Sequence, residues 1–239
     1  VRVWRQAVAV AYHPAGNTRA FVCRFHSWTY DTQGALVNVP EREIFPDFDP
    51  CDHGLTAVAS DEWEGFVFVN VDPSPAQTLR EYLGEDIWHS FNGYLAQREH
   101  VMTISTVVKT NWKIMLDAFV ETYHFSTVHA PTAGSIATTP ANPNGYMDLP
   151  RFYGPHRIIT ALSNLDHIPT FCEALARRYS GNMTLAPDGE TQKQLPDFIN
   201  PGRFRDWVSD ILILFPIANI HPTPGFTPIQ NYWPVHQET

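Results

Sequence analysis

Asn111-Trp112-Lys113-Ile114-Met115-Leu116-Asp117-Ala118-Phe119-Val120-Glu121-Thr122-Tyr123-His124-Phe125-Ser126-Thr127-Val128-His129 is the stretch on which the reading of the chain turns. It holds neither Gly nor Pro. Apolar residues recur at Trp112, Met115, Leu116, Phe119, Val120 and Tyr123, which is helical spacing. Ala130 stands before Pro131, and the proline ring pushes the preceding residue out of the helical region, so the pattern predicts one helix ending there. Asp117, Glu121, His124 and Val128 follow at steps of four, three and four, which places them on one face. Two carboxylates and an imidazole along a mostly apolar helix are costly to bury unless something binds them, and a metal ion would do so. His129 would sit about 140° from His124 at roughly 100° per residue, so both can hold one ion only if the helix loosens near its end. The plainer alternative is a mostly buried helix with a hydrogen-bonded His124 and an exposed His129.

Composition sets the bounds around this stretch. The chain has 239 residues, enough for one large or two small domains, and 44% of them are apolar, enough for a true core. A net charge of −9 argues against nucleic acid and anionic membrane surfaces as partners. Cys23, Cys51 and Cys172 are odd in number and far apart, which is no disulfide framework and points to a cytoplasmic protein. The longest apolar run, around Ile211 to Phe215, is too short to span a bilayer. There is no signal peptide, and the chain opens at Val1 on strand-like sequence, as an internal fragment would.

Residues 1–75 read as all-β. Strands are expected at Val8 to Tyr12, Thr18 to Val22, Thr29-Tyr30, Ala35 to Val37, Leu55 to Ala59 and Phe66 to Val71. Asp31-Thr32-Gln33-Gly34 is a turn, and Asp72-Pro73-Ser74-Pro75 is the best linker candidate. Beyond it, a short helix at Thr78 to Leu83 should stop at Gly84, and the β-branched run Val101 to Val108 should be a strand. Residues 130–150 read as a long loop leaving the histidines, of the kind that often forms a lid, and 183–202 as another loop. Arg157 to Leu162, Ile211 to Phe215 and Ile229 to Trp233 are expected strands, and Phe171 to Tyr179 a helix.

A second constellation lies near the start. Cys23 and His26 form a C-x-x-H pair in a turn-rich β segment, and a thiolate and an imidazole on one loop can ligate zinc or one end of an iron–sulfur cluster. A free buried Cys beside a chance His is the alternative. The surrounding string, Cys23, Phe25, His26, Trp28, Tyr30, Asp31 and Gly34, closely resembles the second ligand loop of Rieske iron–sulfur domains, and Glu64-Gly65-Phe66-Val67-Phe68-Val69-Asn70 resembles the end of such a domain. Asn-Trp-Lys, a carboxylate two residues before Tyr-His, and a second His five residues on resemble the iron-binding stretch of Rieske non-haem iron oxygenases, the ring-hydroxylating oxygenase α subunits. The two motifs stand in that family's order across a linker. The resemblance is thin between residues 130 and 200.

The resemblance implies an α+β chain. Residues 1–75 would be the C-terminal part of an all-β Rieske domain. Residues 76–239 would be part of a helix-grip catalytic domain, an antiparallel sheet around a long helix. Cys23 and His26 would hold a 2Fe-2S cluster, and His124 and His129 a mononuclear Fe(II). Glu121 would link one subunit's iron to a neighbour's cluster, and Asp117 would support the site from behind. The family's first cluster pair has the form C-x-H; none is read anywhere in this chain, so that pair is expected upstream of Val1. The third iron ligand, an Asp in the family, is expected downstream, and none of Asp206, Asp210 and Glu238 is assigned to it. The implied activity is O2-dependent mono- or dioxygenation of a small apolar, aromatic substrate, in aromatic hydrocarbon catabolism. Electrons would come from a ferredoxin or reductase, and the intact protein would be a homotrimer or α3β3 assembly. Two other readings stand beside it. One is a helix-grip ligand-binding domain with degenerate metal sites. The other is a zinc hydrolase using His124, His129 and Glu121, although such enzymes more often space their histidines at i and i+4.

Overall fold

The chain folds as two compact units, Val1–Thr78 and Leu79–Thr239. The computed structural model describes residues 4–5, 8–11, 16–131, 134–179, 193–216, 218–223 and 226–234. The loop expected over 183–202 lies outside the described residues as far as 192.

Unit 1 is built of antiparallel strands. Strands β1 (Trp4–Arg5) and β2 (Val8–Ala9) pair. Strands β3 (Ala20–Val22), β4 (Thr29–Asp31) and β5 (Leu36–Asn38) form a three-stranded meander. Tyr30, Leu36 and Val39 are its core, with Phe21, Cys23, Trp28, Phe48 and Leu55 packed against them. The turn between β4 and β5 is set by Asp31, whose Oδ1 accepts from the backbone N–H of Gln33 and of Ala35, both at 2.9 Å. Gly34 follows at φ 88°, a conformation in which a Cβ would be strained and would meet Leu55 Cβ at 3.3 Å. Strands β6 (Ala59–Trp63) and β7 (Phe66–Asn70) form a hairpin across Glu64-Gly65, both with positive φ, the signature of a tight primed turn. The strand expected from Leu55 thus begins only at Ala59.

Unit 2 is organised by a five-stranded antiparallel sheet in the order β12-β11-β10-β9-β8. Its strands are β8 (Asp148–Tyr153), β9 (His156–Leu162), β10 (Trp207–Leu214), β11 (Ala218–Ile220) and β12 (Ile229–Asn231). Ile211 pairs with Ile159, and Ile213 with Arg157. Paired residues and residues two apart share a face, so β10 sends Ile211 and Ile213 one way and Asp210 and Leu212 the other. The first face receives α2 (Trp112–Asp117): Leu116 packs on Ile211 and Ile213 among Trp112, Val120, Met147, Ile159, Ala161 and Tyr232. The second face meets α1 (Leu79–Trp88), where His156 donates from Nε2 to the Tyr82 carbonyl at 2.9 Å and the Tyr82 hydroxyl donates to the Phe215 carbonyl at 2.5 Å. Together these elements make an α+β unit with an antiparallel sheet.

Three expectations need correction. The helix predicted over 111–129 is broken. α2 is capped by Asn111, whose side chain accepts from the Lys113 N–H at 2.9 Å, but ends at Asp117. Phe119 and Val120 close three-residue bonds to Leu116 and Asp117, so the helix tightens and stops. A single turn, α3 (Phe125–Val128), resumes after His124. The cause is local: the Glu121 carboxylate takes the His124 backbone N–H at 3.3 Å, the donor that a continuous helix would give to Val120. Asp117, Glu121, His124 and Val128 therefore do not share a helical face.

Gly84, at φ 76° and ψ 157°, leaves the helical region and divides α1 into two helical pieces, so the first piece stops there as expected. Val101 to Val108 has strand propensity without a strand: among the described residues it belongs to no sheet, and Val101 and Ile104 are exposed. The loop of 130–150 is interrupted by α4 (Gly134–Ala137) and ends at Asp148, where β8 begins. Among the described residues no helix is long and apolar enough to cross a membrane.

Candidate metal centre and cluster loop

The break in the helix is what brings the two histidines together. His124 lies just before α3 and His129 just after it. Their ring centres are 5.2 Å apart and the planes 60° from each other. Two imidazoles sharing an ion at about 2.1 Å per metal–nitrogen bond hold their ring centres roughly 4.5–5.5 Å apart when the angle at the metal is about 90–110°. The pair fits. Glu121 accepts from Nδ1 of His124 while also taking its backbone N–H. That bond fixes the tautomer and leaves Nε2 as the ring nitrogen with a lone pair, the arrangement found behind metal-bound histidines. The hydrogen bond from the His124 ring lowers the Glu121 carboxyl below its ordinary value. Phe125 packs beside His129 with ring centres 5.1 Å apart.

Asp117 is not part of this group. Its carboxylate pairs with Arg157 of β9 at 3.0 Å and is largely exposed. Among the described residues, no three of His, Cys, Asp and Glu gather into a group able to hold a metal ion. The described residues thus supply two imidazoles and one supporting carboxylate. Asp210, a carboxylate that the sequence leaves unassigned, is fully buried on the opposite face of the sheet. There it accepts from Thr160 Oγ1 and the Asn200 N–H, both at 2.5 Å, and pairs with Arg151 at 3.3 Å. Burial raises its pKa against the lowering effect of those bonds.

In unit 1, Cys23 and His26 lie on the loop between β3 and β4. Cys23 N–H donates to the Trp28 carbonyl and Ser27 N–H to the Cys23 carbonyl, both at 2.8 Å, and Ser27 has φ 60°. The loop is a closed turn, with Cys23 partly buried against the Tyr30 core and His26 exposed beside Phe25. This donor set, one thiol and one imidazole, fits one half of a two-Cys, two-His cluster. A C-x-H pair that the sequence reading passed over, Cys51-Asp52-His53, does stand downstream. It forms a single 3-10 turn with Cys51 exposed and the His53 ring stacked 4.2 Å over Phe48. It does not gather with Cys23 and His26 into a metal-holding group.

A polar corner on the α2-facing side of the sheet corresponds to no motif in the chain. His221 follows β11, and its ring stands edge-on to Phe119 with centres 5.7 Å apart. Burial lowers its pKa to about 4. Phe119 also meets Tyr232, whose hydroxyl is pushed up to about 12 by burial. A histidine and an asparagine inside an otherwise apolar strand pair, Ala218 to His221, was the only available signal.

A family model described as "Ring hydroxylating alpha subunit (catalytic domain)" matches residues 95–239. Chlorobenzene dioxygenase subunit alpha of Cupriavidus sp. (strain PS12) is 36% identical over 132 residues, 53% of this chain and 29% of that protein. Benzene 1,2-dioxygenase subunit alpha of Pseudomonas putida is 34% identical over 131 residues, again 53% and 29%. The matched stretch spans less than a third of either relative. Among solved structures, a quaternary ammonium Rieske monooxygenase, CntA, superposes with a TM-score of 0.69 at 15% identity, over 99% of this chain and 55% of that one. Naphthalene 1,2-dioxygenase from Rhodococcus sp. does so with a TM-score of 0.65 at 22% identity, over 99% and 56%. At these identities the structural likeness is one of fold.

Proposed function

The chain belongs to the ring-hydroxylating alpha subunits, and on that premise we propose that it is part of a Rieske-type oxygenase hydroxylating a small apolar aromatic substrate with O2. Residues 1–75 are then part of a Rieske domain, and residues 76–239 part of a helix-grip mononuclear-iron domain. Cys23 and His26 would be two of the four ligands of a 2Fe-2S cluster, the thiolate on one iron and the imidazole on the other, and His124 and His129 would be two ligands of Fe(II). When bound, the cluster supplies electrons and the iron an O2-binding position beside the substrate.

The chain's own residues do the rest. Glu121 holds the proton on His124 Nδ1 and so keeps Nε2 free to coordinate. As an exposed carboxylate one turn before the histidine, it would also accept from His26 of the partner subunit and so join one subunit's cluster to the next subunit's iron. That role calls for a ring-shaped assembly, a homotrimer or α3β3, fed by a ferredoxin or reductase. The observation that carries the reading is the pairing of His124 and His129 at 5.2 Å with Glu121 behind the first ring. Iron analysis of the full-length protein tests it: His124→Ala should lose the mononuclear iron and keep the visible absorbance of the cluster. Unchanged iron content in that variant would remove the assignment.

A further inference from the structure

The face of the sheet that receives Leu116 is not uniformly apolar. Ile213 pairs with Asn219, and Asn219 with Gln230. Since paired residues and residues two apart share a face, Asn219, His221, Gln230 and Tyr232 stand with Ile211 and Ile213 on the α2 side. Asn219 is fully buried. Its Nδ2 donates to the Tyr232 hydroxyl at 3.0 Å, and that hydroxyl donates to Gln230 Oε1 at 2.9 Å. This arm is closed and leaves Asn219 Oδ1 as a buried acceptor without a partner, as is His221 Nε2 two residues on along the same face. A buried polar atom left unpaired costs more than a hydrogen bond contributes, so two such atoms on one face of one hairpin call for a ligand group.

The chemistry of that group follows from these two atoms. Burial keeps His221 neutral near pH 7, because its pKa falls to about 4. A neutral imidazole nitrogen can donate or accept according to tautomer, an amide oxygen accepts, and a hydroxyl does both. Arg157 shares the face through its pairing with Ile213, but its guanidinium is already engaged by Asp117 at 3.0 Å. An anionic substituent would therefore face the Asn219 oxygen with no cation to balance it. A methyl group would leave both atoms unpaired. A hydroxyl can donate to Asn219 Oδ1 and accept from His221. Phe119, which precedes His124 by five residues, supplies an aromatic wall in contact with both His221 and Tyr232.

We propose that His221, with Asn219, forms a specificity-determining corner of the substrate site that takes a neutral hydrogen-bonding substituent, above all a hydroxyl, on a small aromatic ring lying against Phe119. The inference rests on the oxygenase reading for the identity of the site, but its test reads binding and not turnover.

Calorimetric titration of the full-length protein with phenol, toluene and benzoate provides the test, toluene matching phenol in size. Phenol should bind at least about tenfold more tightly than toluene, and more tightly than benzoate. His221→Leu should bring phenol to within about threefold of toluene without weakening toluene, and His221→Gln, which keeps a hydrogen-bonding head, should restore part of the preference. Equal affinity for phenol and toluene in the wild type would overturn the corner. So would an equal loss of both probes in His221→Leu, which would mark a packing role, or the binding of no probe at all. The oxygenase reading fails separately, on the iron content of His124→Ala: a phenol preference that persists there, with iron unchanged, would keep the binding corner and discard the iron assignment.

Discussion

Arg157 on β9 reaches Asp117, the last residue of α2, at 3.0 Å, so the end of the helix is tied to the sheet by a salt bridge across the face that also holds Leu116. Asp117 thus supports the histidine segment by anchoring the helix before it turns, and not by touching an imidazole. The pair is substantially solvent-exposed, and such pairs contribute about 0.2–1 kcal/mol. Asp117→Ala should lower the stability of the protein by that much in urea unfolding while leaving its iron content unchanged. Loss of iron without loss of stability would place Asp117 in the metal site after all.

Glu121 is bonded twice to His124, through the ring and through the backbone. In Glu121→Gln the one remaining side-chain oxygen can still accept from the His124 ring, the bond that sets its tautomer, while the bond to the backbone N–H is given up, so iron and cluster absorbance should stay near wild-type levels. The charge that would bridge to the partner subunit is gone, and product formation should fall by at least about tenfold. Turnover at the wild-type rate would dismiss the bridging role. Iron loss as complete as in His124→Ala would instead make Glu121 a ligand or its essential support.

These two residues show where sequence reasoning reaches its limit. The helical period of Trp112, Met115, Leu116, Phe119 and Val120 correctly named the segment that packs on the sheet. Periodicity cannot see that Glu121 will take a backbone donor from His124 and end the helix early. The same break reconciles two histidines that a regular helix would hold about 140° apart. Val101 to Val108 failed for a related reason: β-branched residues fit a pleated surface, but a strand also needs a neighbour. Asp31 and Gly34 were legible because their turn is local, and His221 and Asn219 were not, because their burial depends on pairings between strands.

The acid limb of stability should report His221. Its pKa is about 4 in the folded state against an ordinary value of 6.5. Between these two values the unfolded chain binds a proton that the folded one refuses. Stability is therefore full above about pH 6.5, falls as the pH drops through the window, and levels off below about 4. The full shift corresponds to at most about 3 kcal/mol. His156, lowered by burial in the same sense, adds to the loss, while Asp210, raised by burial, opposes it. Urea melts at pH 7 and pH 5 should show a clear loss for the wild type and a smaller one for His221→Leu. Identical acid sensitivity in the two proteins would mean that His221 is hydrated and titrates normally.

Leu116 couples the helix to the sheet most directly. It is 2% exposed and packs on Ile211 and Ile213, which are themselves buried at the centre of β10. Truncation to alanine removes that contact and leaves a cavity that a five-stranded sheet cannot close by itself. The expected cost is about 2–5 kcal/mol, a large fraction of the stability of a domain this size. Because α2 ends only seven residues before His124, loosening it should also widen the spread of the His124–His129 pair. Leu116→Ala should therefore show a lowered urea midpoint and weaker retention of mononuclear iron during dialysis against a chelator. Leu116→Met, close in volume, should cost less than about 1.5 kcal/mol and keep the iron. A midpoint in Leu116→Ala equal to that of the wild type would show that the face of the sheet is covered by something other than α2.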